Sequence, residues 1–83
     1  MILGVYSILD SATGIYSHPF YQVTNGAAIR AFIDACADPE SPFSKHPEDY
    51  SLAVLGQFDD QNGSFDIAPP VTLMTAVNAL IRE

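Results

Sequence analysis

Two turn signals, 49 residues apart, constrain the fold of this chain more than any other feature. Residues 10–14 (Asp-Ser-Ala-Thr-Gly) follow an apolar run at 2–9, and residues 59–63 (Asp-Asp-Gln-Asn-Gly) follow another at 52–58. Aspartate can hydrogen-bond its own backbone, glycine adopts positive φ at no steric cost, and Asn-Gly favours a hairpin. Both apolar runs are too short for a typical helix, so we predict that each is a strand followed by a turn.

Each turn leads into a returning strand that contains proline. Residues 15–23 form the first, and Pro19 predicts an edge or interrupted strand because proline has no N–H for the ladder. Residues 64–68 form the second, a short strand that we expect Pro69 and Pro70 to stop.

A helix is predicted after each hairpin. Thr24 or Asn25 is a suitable N-cap for the first, and Asp38-Pro39 ends it because the residue before proline avoids helical geometry. Its apolar residues recur at helical spacing: Ile29, Phe32, Ile33 and Cys36. Pro70 or Thr72 opens the second helix, whose apolar stripe is Leu73, Ala76, Val77 and Leu80.

The element order is therefore ββα-ββα in a single domain spanning residues 1–83. We predict an α+β fold, a four-stranded and mostly antiparallel sheet with two helices on one face. A shift of 49 residues also aligns four identical pairs: Val5 with Val54, Asp10 with Asp59, Gly14 with Gly63, and Ala27 with Ala76. Internal duplication and chance are both open explanations of this match.

Charge argues against strong binding to phosphates. The 83 residues include three Lys and Arg (Arg30, Lys45 and Arg82) against ten Asp and Glu, a net charge of −7. Nucleic-acid affinity comes largely from neutralised phosphates, so nonspecific DNA binding by a monomer is disfavoured, whereas a basic partner surface would fit. Hydrophobic residues make up 48% of the chain, enough for one core. Because so small a domain buries a modest fraction of its surface, we also expect a homo-oligomer.

Cysteine content and hydropathy indicate a soluble cytoplasmic protein. Cys36 is the single cysteine, which rules out an internal disulfide or a cysteine cluster, and its helical position predicts a buried thiol. The first residues lack the basic region of a signal peptide. No apolar run approaches the roughly 20 residues needed to span a bilayer, so no membrane contact is expected.

Residues 40–50 form a long connection with reactive side chains. Ser44, His46, Glu48, Asp49 and Tyr50 could in principle support proton transfer or a serine nucleophile. Adjacency alone does not assemble such a site, and Ser44 capping a short turn with Pro47 at an early position explains the segment as well. We interpret it as a structural or contact loop.

Cofactor and metal signatures are weak. His18 and His46 lack helical metal-ligand spacing, and Asp59, Asp60 and Asn62 do not fit a calcium loop because Gly63 comes too early for that pattern. Neither Gly56 nor Gly63 begins a phosphate loop. We predict no cofactor, no metal site, no catalytic residues and no enzyme activity.

Four aromatic residues of the first hairpin, Tyr6, Tyr16, Phe20 and Tyr21, permit two interpretations. Aromatic side chains on a sheet face stack single-stranded bases and need less charge than phosphate clamps. The same residues also serve as ordinary core and edge packing.

Several segments resemble the small non-structural proteins of gokushoviruses, single-stranded-DNA phages of the Microviridae. They are Val5-Tyr6-Ser7-Ile8-Leu9-Asp10, Gly26 to Phe32, Asp38 to Ser41, Ser44-Lys45-His46-Pro47-Glu48-Asp49-Tyr50 and Leu55 to Phe65. The resemblance covers roughly residues 1–68. It implies a non-capsid accessory protein in the host bacterial cytoplasm, of a family often labelled DNA-binding and linked to the switch towards single-stranded genome synthesis.

Two hypotheses follow. In the first, the protein helps viral genome replication by contacting single-stranded DNA. In the second, it is an acidic homo-oligomeric interaction module that binds the phage replication initiator or a host replication protein. The candidate contact residues for a ligand or partner are Tyr16, Phe20, Tyr21, Arg30, Lys45 and His46.

Overall fold

An antiparallel pair of long strands forms the centre of the sheet. In the computed structural model, which describes residues 1–81, β1 (Ile2–Asp10) pairs with β4 (Tyr50–Asp59) from Ile2 opposite Asp59 to Asp10 opposite Tyr50. β5 (Ser64–Thr75) adds to β4, while β2 (Ile15–Tyr16) and β3 (Phe20–Gln22) both pair with β1. All these pairings are antiparallel, which confirms the predicted sheet.

The returning strand of the first hairpin is interrupted, as predicted from Pro19. Residues 17–19 separate β2 from β3, and Ser17 fills the gap in the ladder. The Ser17 N–H donates to the carbonyl of Ile8 (2.8 Å), and the Ser17 hydroxyl accepts the Ile8 N–H (3.0 Å). The Ser7 hydroxyl, which is fully buried, donates to the Ser17 carbonyl (2.7 Å). A hydroxyl oxygen thus takes the place of a backbone carbonyl as the acceptor of the Ile8 N–H in the gap between β2 and β3.

The two predicted turns have the same hydrogen-bond pattern. Gly14 donates its N–H to the Asp10 carbonyl (2.7 Å), and Gly63 donates to the Asp59 carbonyl (2.8 Å). Each aspartate side chain also accepts the N–H two residues further on, at 3.0 Å and 2.9 Å respectively. Both glycines have φ of +74°, which explains why glycine stands there. The chain is therefore two ββα units with matching turns.

Two helices pack on one face of the sheet, as predicted. α1 (Asn25–Ala37) is capped by Thr24, whose hydroxyl accepts the Ala27 N–H (3.1 Å), and it ends at Asp38. A second helix closes the other unit, and there the hydroxyl of Thr75 accepts the Asn78 N–H (3.2 Å). The two helices bury small and apolar residues against Tyr6 and Leu52: Ala28, Phe32, Cys36, Ala76 and Ala79.

The expectation that Pro69 and Pro70 stop the last strand is wrong. β5 continues to Thr75, and Ile67 lies opposite Gly56 while Val71 lies opposite Val54. Residues 68–70 therefore face a single residue of β4, in a bulge where the missing proline N–H groups cost no regular ladder bond.

Because the strand is longer, the last helix begins later than predicted. It spans Ala76–Ile81 and is numbered α3 below. Leu73, which was assigned to the helical stripe, lies in β5 and still packs against the core.

The connection between α1 and β4 is ordered around Phe43. It contains a short helix, α2 (Pro42–Lys45), and a 3₁₀ turn (Pro47–Asp49) in which Pro47 has the early position that was predicted. Ser44 is not the cap: the Ser41 hydroxyl caps α2 by accepting the Ser44 N–H (3.2 Å). The Phe43 ring contacts Phe32 at a centroid distance of 6.0 Å and Tyr50 at 5.0 Å.

Tyr6 is the largest fully buried side chain and depends on a glycine two residues before it. Its hydroxyl donates to Asn25 Oδ1 (2.8 Å), which ties the sheet to the start of α1. Its ring lies across Gly4, where a Cβ atom would overlap the phenol. Cys36 is buried as well, as predicted, and burial raises the pKa of the Tyr6 phenol and of the Cys36 thiol.

We predict that Gly4→Ala lowers the free energy of unfolding by about 3 kcal/mol, because the added methyl group displaces the Tyr6 ring from the core. The matched control is Gly26→Ala in the first turn of α1, where the nearest atom to the new Cβ is the Thr24 hydroxyl at 3.8 Å. That variant should be unchanged or more stable by up to about 1 kcal/mol. Urea unfolding followed by circular dichroism measures both, and equal effects would contradict the packing of Tyr6 over Gly4.

Candidate binding surface

The sheet has one face without helices, and strand register identifies its residues. Cross-strand partners point to the same side of a sheet, and side chains alternate along each strand. Tyr6 and Ile8, with Leu52, point towards the helices. We call the opposite side the open face; by register it comprises Leu3, Val5, Ser7, Leu9, Tyr16, Tyr21, Ser51, Ala53, Gly56, Phe58, Phe65, Ile67, Thr72 and Thr75.

Three aromatic rings cross the open face in a continuous row. The Tyr21 and Phe58 ring centroids are 5.8 Å apart, and those of Phe58 and Phe65 are 4.7 Å apart. Tyr21 belongs to β3, Phe58 to β4 and Phe65 to β5, so the row runs from one edge of the sheet to the other. Tyr21 is 41% exposed and Phe65 is 54% exposed. We call these three residues the aromatic row.

Gly56 lets β5 approach β4 closely beside the row. Its φ is +151°, and a Cβ atom there would overlap the Asp66 carbonyl. Ile67 lies directly opposite it and is 57% exposed. A glycine in a conformation that other residues rarely adopt thus lets β5 pass close to β4, where Phe65 and Ile67 lie two positions apart on the same face.

The open face carries no charged side chain, although the protein has a net charge of −7. Asp66 is the one acidic residue of β5. It lies opposite Gln57, which lies opposite Gly4, and this register assigns Asp66 to the helix-bearing face. Other acidic residues lie in the turns, in α1 and in the connection before β4. The open face itself is therefore uncharged, and the nearest carboxylates in sequence are those of Asp59 and Asp60 in the turn that follows Phe58.

The six predicted contact residues do not form one site. Tyr16 and Tyr21 lie on the open face, and Tyr16 is 40% exposed. Phe20 points to the other side, where its ring packs on Tyr6 at a centroid distance of 5.8 Å. Arg30 is exposed on α1, and Lys45 and His46 are exposed at α2, all in the helical layer.

Two residues of the aromatic row, Phe58 and Phe65, were not identified from the sequence. The signal was present, because they immediately flank the segment 59–64 that contains the strongest turn. Residues that flank a hairpin turn at equal distance face each other across the ladder, and Phe58 does pair with Phe65.

The segment 44–50 brings His46 close to two carboxylates but not to a nucleophile. One ligand-type atom from each of His46, Glu48 and Asp49 lies within 4.8 Å of the others. These residues are near neighbours in sequence around the 3₁₀ turn, and His46 and Glu48 are exposed. Within residues 1–81, the Ser44 hydroxyl makes no hydrogen bond to His46. The arrangement is that of a local turn.

The fold and this surface define a small two-layer α+β protein with one uncharged, aromatic sheet face. The chain belongs to the phage ORF5 protein family, whose model matches residues 3–79. It is thus a bacteriophage protein. No curated protein and no solved structure gives a significant match. Within the described residues, no helix has the length and hydropathy needed to cross a membrane.

Proposed function

We propose that this phage protein is a gokushovirus non-structural accessory protein that acts in viral genome replication, or in the switch to single-strand synthesis, by binding single-stranded DNA. Its place of action would be the host bacterial cytoplasm, and the proposal includes no catalytic step. The observation that supports DNA binding is the aromatic row. Three rings in contact across an open sheet face provide a platform on which successive bases can stack.

The uncharged open face supports binding through bases and not through phosphates. Stacking is tolerant of sequence, and aromatic residues contribute about 1–3 kcal/mol per base. Arg30 and Lys45, the cations considered from the sequence, lie in the helical layer. A strand bound on the open face would therefore turn its bases towards the row and its phosphates towards solvent, with weak dependence of affinity on salt.

We expect saturable binding of a labelled oligothymidine in fluorescence anisotropy, with similar affinity at about 50 mM and about 200 mM salt. Tyr21→Ala and Phe65→Ala should each weaken binding about 10-fold, since each removes an exposed stacking surface.

Arg30→Ala is the matched control, because it removes an exposed side chain from the opposite layer and should leave the affinity within about 2-fold of wild type. A steep loss of affinity with salt, or a loss in Arg30→Ala as large as in Phe65→Ala, would contradict base stacking on the open face.

A second candidate function is an acidic homo-oligomeric module that binds the phage replication initiator or a host replication protein. Acidic residues clustered around α2 and its flanking turns favour it: Asp38, Glu40, Glu48 and Asp49 lie within 12 residues. Asp38, Glu40 and Glu48 are exposed, so their carboxylates are accessible to the basic side chains of a partner.

For this candidate, we expect purified replication initiator to bind with an association rate that falls as salt is raised, because electrostatic steering is screened. Glu40→Gln combined with Glu48→Gln should slow association, whereas Phe65→Ala should not. Surface plasmon resonance measures both rates, and an association rate unaffected by the double substitution would rule out steering by this acidic segment.

A further inference from the structure

The open face presents several large apolar side chains to water. Four of its large side chains, Tyr16, Tyr21, Phe65 and Ile67, are between 40% and 57% exposed. On the scale of about 200 Å² for such side chains, they leave roughly 400 Å² in contact with water. Patches of about 300–600 Å² are the largest found on typical monomers and are often functional.

Because the open face has no charged side chain, it favours some binding partners over others. Any two copies of this chain repel each other, since each carries a net charge of −7. Of all surfaces available for self-association, the open face is one that brings no acidic side chain against another. A basic protein, by contrast, would gain nothing from a face without carboxylates.

The size of the face suits a reversible dimer. Val5, Ser7 and Ala53 in the middle of the face are already buried, so a partner can cover only the roughly 400 Å² of exposed side chain around them. Stable interfaces bury about 800 Å² on each partner. A face with about half that value predicts a weak dimer that dissociates as the protein is diluted.

We propose that, in the free protein, two copies pack open face to open face about a two-fold axis. Sheets packed face to face lie about 10 Å apart with interdigitated side chains, which leaves no space for a base. The second copy and single-stranded DNA therefore compete for the aromatic row. This competition rests on the proposed DNA-binding function, whereas the dimer itself does not.

Sedimentation velocity of the full chain tests the interface. The protein concentration should run from about 1 µM to about 500 µM, which covers the micromolar affinity that modest interfaces give. Wild type should shift from monomer to dimer. Ile67→Ser and Phe65→Ser should each raise the dissociation constant at least about 10-fold, because each places a polar group in the buried patch.

Val71→Ser is the matched control for Ile67→Ser. Both residues lie in β5, and Val71 is 58% exposed, but its pairing with Val54 assigns it to the helix-bearing face. It should dimerise like wild type. A wild-type protein that stays monomeric, or a control weakened as much as Ile67→Ser, would overturn the interface. Thermal unfolding confirms that each variant is folded.

Adding unlabelled oligothymidine to the wild-type dimer separates the two proposals. Dissociation into DNA-bound monomers supports the competition, and DNA bound to an intact dimer overturns it. If no DNA binds while Ile67→Ser abolishes the dimer, the DNA-binding function fails and the interface stands. If DNA binds a protein that is monomeric throughout, the interface fails and the DNA-binding function stands.

Discussion

The antiparallel pairing of β1 with β4 is the interaction on which the rest of this structure depends. These strands pair at nine positions, more than any other two strands of the sheet, with one irregularity between Val5 and Tyr6. They join the start of the chain to residues forty or more positions later. Every other strand is added to one of them: β2 and β3 to β1, and β5 to β4. Because the two strands run in opposite directions, the two similar turns at 10–14 and 59–63 lie at opposite ends of the sheet. The helices then cover the same face from both units.

That central pairing also decides which side chains share a face. Tyr6 points towards the helices and is held over Gly4, so the face that carries Tyr6 becomes the core. The neighbours that alternate with it, Val5 and Ser7, belong to the open face. With no helix above them, the exposed aromatic residues of the outer strands are left for a ligand or a second copy. The same alternation turns Asp66 away from this face.

Most of the fold could be predicted from the sequence because its signals are local. Turn residues, the Thr24 cap and the helical spacing of Phe32 and Cys36 each act within a few positions. The failure at Pro69 and Pro70 has a physical cause: proline is excluded from a regular ladder but tolerated in a bulge, and a bulge depends on the register with β4. Of the candidate surface, Tyr16 and Tyr21 were found, whereas Phe20 was grouped with them although it faces the core. Phe58 and Phe65 were missed because their partnership is a cross-strand contact, visible only once the hairpin register is applied.

We propose that the open face is the surface through which this phage protein binds its ligand. Nuclear magnetic resonance of ¹⁵N-labelled protein, titrated with a short oligothymidine, tests it most directly at the level of single residues. We expect the largest shifts at Tyr21, Phe58, Phe65 and Ile67, with the amides of α1 and α2 nearly unchanged. Shifts centred on Arg30 and Lys45, with the aromatic row unaffected, would contradict it.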